Sequence, residues 1–245
     1  MRSHTLFIVL LVSVGLLASC SDNGSSPTGP GSGGGGGGTG QLSVSDVTVA
    51  EGAAAGFNVT LAAAVGSVVR FTWTVTLRSA SAGDLSGTLT GTDSVAAGAT
   101  NKVISVQTVN DTALEASEVF VFTLSSPVNA TISNGTALGI VSASDGGVDV
   151  SWSGSVGPTL SSACGSCHPS NGGGFSVASP TTLRTTGSNA PDVIPGDGAG
   201  SNIIDKLSSA SPSIGGARMP LGGPYLSAGT ITTIRQWIDQ GAQNN

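Results

Sequence analysis

The residues of this chain that are best suited to chemistry lie together at Cys164-Gly165-Ser166-Cys167-His168. Two thiols at this spacing can each add to a vinyl group of one porphyrin, and the histidine that follows can ligate the iron below the ring. A Cys-x-x-Cys-His run is the attachment signature of a c-type haem. The motif therefore predicts one covalent haem c on Cys164 and Cys167, with His168 as an axial ligand of the iron.

Three other interpretations of the motif stay open at the level of sequence. A structural zinc site needs four Cys or His ligands, but the third cysteine and the second histidine, Cys20 and His4, lie far away near the N-terminus. A thioredoxin-like redox pair belongs in a βαβ setting, which the surrounding sequence does not show. A structural disulfide between the two cysteines leaves His168 unexplained.

The N-terminus has the features of an export signal. The uncharged apolar run at Leu6–Leu17 is too short to span a bilayer, which takes about 20 residues. Leu17-Ala18-Ser19-Cys20 resembles the lipobox of bacterial lipoproteins, which implies a signal peptide over residues 1–19 and a lipid anchor on Cys20. Ser21 implies the outer membrane of a bacterial cell envelope, with the membrane contacted through the lipid. Ordinary cleavage, with Cys20 as a free thiol, is the alternative.

The second axial ligand follows by elimination once the leader is removed. One histidine, His168, and one methionine, Met219 in Arg218-Met219-Pro220, then remain. The thioether of Met219 is therefore the predicted second iron ligand, and a methionine opposite a histidine raises the reduction potential. The alternative is that Met219 fills a gap in the core, which would leave an open iron position for gas or peroxide chemistry.

The remaining sequence divides by composition into a tether and two domains. Residues 20–40 are rich in Gly, Ser, Pro and Thr, which predicts a flexible tether. Residues 41–147 contain about seven short alternating stretches, of which Val69–Arg78 is the clearest, and these predict an antiparallel β-sandwich. Residues 148–245 change to Gly/Pro loops and short helical patterns. The predicted helices run from Pro158 to the cysteine motif, over Ser201–Ser209 and over Ala228–Gln240.

Residues 148–245 resemble a small monohaem cytochrome c of the His/Met class. The matching residues are Cys164, Cys167, His168, Pro195-Gly196-Asp197, Ser201, Arg218-Met219-Pro220 and the tail Ile234–Ala242. The resemblance implies an all-α haem domain in which Trp237 and Ile238 of the C-terminal helix pack beside the haem. The expected fold class is therefore multidomain, an all-β antiparallel sandwich followed by an all-α cytochrome c-like haem domain.

Residues 41–145 resemble a Calx-beta domain. The matching stretches are Val47–Gly52, Ala82–Asp84, Ser86–Leu89 and Asn110–Glu118 leading into Val119–Pro127. In calcium-binding members the ions lie at one end of the sandwich, and the resemblance implies five acidic ligands here: Glu51, Asp84, Asp111, Glu115 and Glu118. Those members also carry several aspartates after the last strand, where this chain has Asp145 alone. A purely structural spacer is the alternative.

These observations predict an electron-transfer protein rather than an enzyme. The expected function is that of a membrane-anchored monohaem c-type cytochrome that carries single electrons between redox proteins of the cell envelope. No second histidine remains for acid–base work. A net charge of −6 with 9% charged residues gives no basic footprint for nucleic acid. The alternatives are an adhesion, scaffold or haem-sensor lipoprotein in which the haem does not carry electrons, and a peroxidase-like enzyme with an open haem.

Overall fold

A computed structural model describes residues 40–169 and 174–245 of the chain. The predicted signal peptide, the lipidated Cys20 and the tether up to residue 39 lie outside these described residues. Gly40, predicted as the last residue of the tether, is the first residue of a strand. The strands are β1 (Gly40–Ser43), β2 (Val47–Val49), β3 (Ala54–Leu61), β4 (Val69–Leu77), β5 (Leu85–Ser86), β6 (Thr90–Val95), β7 (Asn101–Thr108), β8 (Glu118–Val128), β9 (Ala130–Asn134) and β10 (Thr136–Val141).

The strands form two five-stranded sheets, with the orders β5-β7-β3-β1-β9 and β2-β10-β8-β4-β6. Neighbouring strands are antiparallel except for two edge pairs, β1 with β9 and β2 with β10, which are parallel. The prediction of a purely antiparallel sandwich misses these two pairs. They arise because the first two described strands, β1 and β2, add to different sheets, each beside a late strand. A parallel neighbour needs no hairpin.

Alternating side chains from both sheets form the core of the sandwich. In β4 the residues Val69, Phe71, Trp73 and Val75 are buried, and the threonines between them are less so. Phe122 on β8 joins the sheets, because its ring stacks on Phe57 of β3 at a centroid distance of 4.3 Å. Burial on one face with polar residues on the other is what the period-two pattern predicts.

The prediction of an all-α haem domain over residues 148–245 is wrong. The described residues there form a π-helical turn at Trp152–Val156 and four short helices, joined by loops that exceed the helices in length. The helices are α1 (Gly157–Cys164), α2 (Pro180–Thr185), α3 (Asn202–Ser208) and α4 (Ala228–Asp239). Helices of this length are marginal alone. More of the described residues lie in strands than in helices. None of the described helices is both long and apolar enough to cross a membrane.

The helical segment has its own apolar centre although it is not a sizeable domain. Trp152 and Trp237 pack with ring centroids 5.1 Å apart, and Leu160, Leu183 and Ile234 are fully buried around them. The predicted positions of α1, α3 and α4 agree with the structure to within about two residues. The prediction missed α2, because its six residues are too few for a helical period.

The helical segment packs directly against the sandwich, and the described residues belong to one compact unit. Arg78 donates to Asp197 across the junction at 3.1 Å. Gly196 lies so close to Val119 that a Cβ at Gly196 would come within 2.7 Å of the valine Cβ. Its backbone N–H donates to the carbonyl of Ile238 at 2.7 Å. The sandwich therefore contributes part of the packing that holds the loops and α4 in place.

Candidate functional site

The cysteine motif sits on the end of α1 and the turn that follows. Pro158 occupies the first turn of α1, where its missing N–H costs nothing, and buried Leu160 anchors the helix. After Cys164, the last helical residue, the backbone N–H of His168 donates to the carbonyl of Cys164 at 2.8 Å. A Cβ at Gly165 would collide with the carbonyl oxygen of Ser161. The turn therefore needs its glycine and brings the first thiol and the imidazole together.

The first thiol, the imidazole and the methionine line one cleft, which we call the motif cavity. Its empty space, counted out to its open mouth and therefore including solvent, is about 720 Å³. The wall is mostly apolar, and its polar residues include Ser188, Asn189, Asp192 and Lys206. The lining residues are Cys164, His168, Phe175, Val177, Gly187, Ser188, Asn189, Asp192, Ile203, Lys206, Leu207, Ile214 and Met219.

The imidazole of His168 is held but not satisfied by the residues that the structure describes. Its ring lies edge-to-face with Phe175 at a centroid distance of 5.3 Å. Its Nδ1 is buried and has no hydrogen-bond partner in the described part of the chain. Buried nitrogens of this kind normally have a partner, and imidazole nitrogen is a common metal ligand. The ring therefore has one nitrogen whose partner the described residues do not supply.

The two thiols differ in environment. Cys164 is half-buried and Cys167 is exposed, and both are free in the structure. Burial raises the pKa of the Cys164 thiol, and the neighbouring Cys167 raises it further. Within residues 40–169 and 174–245, the groups close enough to hold a metal ion by themselves are acidic, and none includes these thiols or His168. A zinc site at the motif therefore finds no further ligand in the described residues.

Met219 reaches the motif cavity on a loop that α3 holds in place. Its backbone N–H donates to the carbonyl of Lys206 at 2.9 Å. The ammonium of Lys206 in turn donates to the carbonyls of Gly215 and Ala217, which lie in the same loop. Met219 follows His168 by 51 positions, so the fold, rather than local sequence, places both residues on one cavity.

The polar residues of the motif cavity were not predicted from the sequence. Asp192 is 7% exposed and lines the cavity beside Gly187 and Lys206. The signal available in the sequence is that Asp192 is the one acid within the otherwise apolar stretch Pro191–Pro195. Such an acid is a candidate for burial because apolar neighbours on both sides are drawn into the core.

All five predicted calcium ligands come together at one end of the sandwich, in what we call the acidic cluster. Two overlapping groups have carboxylate oxygens within 4.8 Å of one another, and both contain Glu115. The groups are Glu51, Asp111 and Glu115, and Asp84, Glu115 and Glu118. The cluster forms because the turn after β2, the loop before β5 and the loop from β7 to β8 meet at this end.

Local backbone contacts hold the loops of the acidic cluster. Glu51 accepts a hydrogen bond from the backbone N–H of Asp111 at 3.1 Å. Glu115 pairs with Ser144 in an isolated antiparallel bridge, which brings Asp145 into its neighbourhood. These contacts fix the carboxylates near one another. The folded structure therefore keeps groups of like charge close together.

The charges of the acidic cluster shift the pKa values of its members. Burial, a hydrogen bond to Asp84 and the charge of Asp84 raise the pKa of Glu118 from 4.5 to about 8. Burial also acts to raise the pKa of Asp84, but hydrogen bonds from Glu118 and Ser81 outweigh it and lower the value. The pKa of Glu115 is raised, by burial and by the surrounding carboxylates. At neutral pH Glu118 therefore keeps its proton and shares it with Asp84.

Comparison with known proteins gives structural neighbours at low identity. No family model matches the chain, and no curated protein matches it in sequence. The apo form of the Calx CBD1 domain shares 16% identity at a TM-score of 0.40, over 44% of this chain and 99% of that one. The CBD12 structure of CALX1.2 shares 18% identity at a TM-score of 0.38. A cohesin of ScaC from Acetivibrio cellulolyticus shares 11% identity at a TM-score of 0.29, over 42% and 99% of the two chains.

These similarities cover less than half of this chain. The CBD12 match spans 41% of this chain and 43% of that protein. At these identities and TM-scores, the similarities say nothing about which ion or partner this chain binds.

Proposed function

We propose that the chain carries one covalent haem c in the motif cavity and transfers single electrons in the bacterial cell envelope. The observation that carries the proposal is that Cys164, His168 and Met219 line one cavity although Met219 is 51 positions from the histidine. Cys164 and Cys167 would hold the haem through their sulfurs, and His168 and Met219 would supply a nitrogen and a sulfur ligand to its iron. When bound, the haem provides an iron that exchanges one electron with protein partners.

The residues of the chain would bind and tune that iron. Thiolate is the reactive form of a cysteine, and burial, which raises the pKa of the Cys164 thiol, disfavours that form. The apolar wall, including Phe175 and Leu207, would exclude water from a bound iron. The soft sulfur of Met219 would favour the ferrous state and raise the reduction potential.

The proposal is tested by maturing the exported chain in a host that attaches haem c. We expect denaturing electrophoresis to show pigment that stays with the protein, and no retained pigment when Cys164 and Cys167 are both replaced by alanine. A colourless wild-type band would overturn the proposal. The spectrum then identifies the ligands, because a ferric iron–thioether bond gives a weak far-red band in a low-spin haem.

Met219→Ala should abolish the far-red band and make the haem high-spin. Ile214→Ala is the matched control, because Ile214 lines the same cavity but has no ligand atom, and its band should remain. A band that survives in Met219→Ala would assign the sixth position to another group. A high-spin wild type that binds carbon monoxide would support the sensor or peroxidase alternatives instead.

The acidic cluster supports a second activity, and we propose that it binds Ca²⁺. Calcium takes six to eight oxygen ligands, several of them carboxylates, and five carboxylates are gathered here. We expect millimolar Ca²⁺ to raise the melting temperature by mass action. Glu115→Gln, which removes the residue common to both groups, should lose this response, and the distant Asp93→Asn should keep it. An unchanged wild-type melting curve contradicts the site.

The proposed location at the membrane depends on Cys20, which lies outside the described residues. We expect the wild-type protein to sediment with the outer membrane and to carry lipid on Cys20, and Cys20→Ala to be released. The sandwich would then hold the haem-binding segment away from the membrane surface. A wild-type protein recovered in the soluble fraction would remove the anchor from this proposal.

A further inference from the structure

Asp192 is a buried carboxyl in the wall of the motif cavity that the proposed function does not use. Its exposed fraction is 7%, whereas Asp197 and Asp239 are partly exposed at the surface of the helical segment. Buried acids are uncommon unless they are paired. Asp192 shares this wall with His168 and Met219, the two residues that would hold the iron.

The polar contacts of Asp192 are few. Its Oδ1 accepts a hydrogen bond from the side-chain amide of Asn202 at 3.3 Å. Its Oδ2 lies against Gly187, where a Cβ would come within 2.8 Å of that oxygen. Gly187 has a φ of +95°, so its conformation also favours glycine. The carboxyl is therefore held in place by the backbone and by one neutral amide.

The charged and titratable groups around Asp192 do not neutralise it. Lys206 on α3 also lines the cavity, but its ammonium donates to the carbonyls of Gly215 and Ala217. His168 and Cys164 face the same space from the end of α1. Burial raises the pKa of Asp192, and the Asn202 hydrogen bond and the Lys206 charge oppose this only in part. The carboxyl is therefore sensitive to any further charge placed in the cavity.

We propose that Asp192 couples electron transfer to proton transfer, taking up one proton from solvent when the iron in the motif cavity gains one electron. The inference rests on the proposed function. The electron comes from a redox-protein donor, and the proton forms one O–H bond on the Asp192 carboxylate. On oxidation the electron leaves to an acceptor protein and the same proton returns to water. The proton taken up on reduction leaves a hydronium ion of the solvent, so one O–H bond breaks there as the carboxyl O–H bond forms, and the reverse exchange accompanies oxidation.

The physical reason is the change in charge inside a poorly solvated cavity. Ferric iron carries one more positive charge than ferrous iron and stabilises the carboxylate more strongly. Reduction removes that charge, so the same carboxyl binds its proton more tightly in the reduced protein. The reduction potential must then fall as the pH rises between the two pKa values of Asp192. The slope approaches about 59 mV per pH unit, which is a tenfold change in proton concentration converted for one electron.

The experiment is a redox titration of the full holoprotein by visible spectroscopy, from about pH 4 to about pH 9. We expect the wild-type potential to fall over part of this range and the Asp192→Asn potential to stay level there. Asp205→Asn is the matched control, because Asp205 lies on α3 but binds Ser213 outside the motif cavity. It should keep the wild-type slope.

A second variant keeps the test independent of the folding of Asp192→Asn. Asn202→Ala removes the hydrogen bond that stabilises the carboxylate, so the sloping region should move to higher pH. The infrared difference spectrum between reduced and oxidised protein should also show a protonated carboxyl in the wild type and none in Asp192→Asn. A wild-type potential that does not change with pH overturns the inference while covalent haem still supports the proposed function. Absence of covalent haem overturns the proposed function first.

Discussion

Replacing Glu118 by glutamine should stabilise the protein at alkaline pH and leave its stability unchanged in mild acid. Folding raises the pKa of Glu118 from 4.5 to about 8. Between these two values the folded protein holds a proton that the unfolded chain has released. The free energy of unfolding therefore falls as the pH rises through this window. Glutamine carries no charge at any pH, and its amide can still donate to Asp84.

The size of the effect follows from the same pKa values. The difference between 4.5 and about 8 corresponds to roughly 5 kcal/mol, at about 1.4 kcal/mol per pKa unit. Glu118 is only partly buried, so solvent screens its interactions, and we expect about 2 kcal/mol. The pKa of Asp84 is lowered from 3.8. Asp84 therefore titrates below the pH range in which Glu118 loses its proton, and it does not offset the effect of Glu118 on stability.

The assay is urea unfolding of the holoprotein in the presence of a chelator, at about pH 5 and about pH 9. The wild type should lose about 2 kcal/mol relative to Glu118→Gln between the two conditions. Asp93→Asn is the control, because it removes one charge from a surface pair with Lys102 (3.2 Å) far from the acidic cluster. The free energy of unfolding of Asp93→Asn should change with pH as that of the wild type does. Parallel pH profiles for Glu118→Gln and the wild type would refute the argument.

Three further measurements test the junction, the core and the proposed ion site. Gly196→Ala should lower the free energy of unfolding, measured in urea, by about 1–3 kcal/mol more than Gly98→Ala does. Both glycines have positive φ, but only Gly196 abuts Val119. Equal losses would mean that this close approach is unimportant. Phe122→Ala should lower the free energy of unfolding by about 3–5 kcal/mol, because the Phe122 ring joins both sheets. A loss under about 1 kcal/mol would contradict that role. Calcium affinity, measured by calorimetry, should rise with pH up to about 8 as Glu118 loses its proton, and an affinity independent of pH would exclude Glu118 as a ligand.

Much of the sandwich could be predicted because the alternation of apolar and polar residues that indicates a strand is local in the sequence. Alternation in β3 and β4 sets which face is buried, and side chains two residues apart share a face in any strand. The parallel pairing of β1 with β9 could not be predicted this way. It depends on which sheet each early strand joins, and this is decided by packing between segments far apart in the chain.

The error in the second half has a physical cause. Helical periodicity correctly located α1, α3 and α4, but it does not report how much structure lies between them. The long loops are held by contacts that have no local pattern, such as Met219 to the Lys206 carbonyl and Gly196 against Val119. A segment can therefore contain correctly predicted helices and still fail to be an all-α domain.

The cysteine motif and the identities of the five clustered acids are properties of the linear chain, since residue type and short spacing set which reactions and ligands are possible. Three-dimensional packing alone placed Met219 and Asp192 on the wall that holds His168, and brought Glu51 to Glu115. Groups so far apart along the chain meet only when the burial of apolar surface offsets the entropy of closing the loops between them. That free energy is a property of the whole fold. The possible chemistry can therefore be predicted from a few residues, whereas the assembly of the site residues cannot.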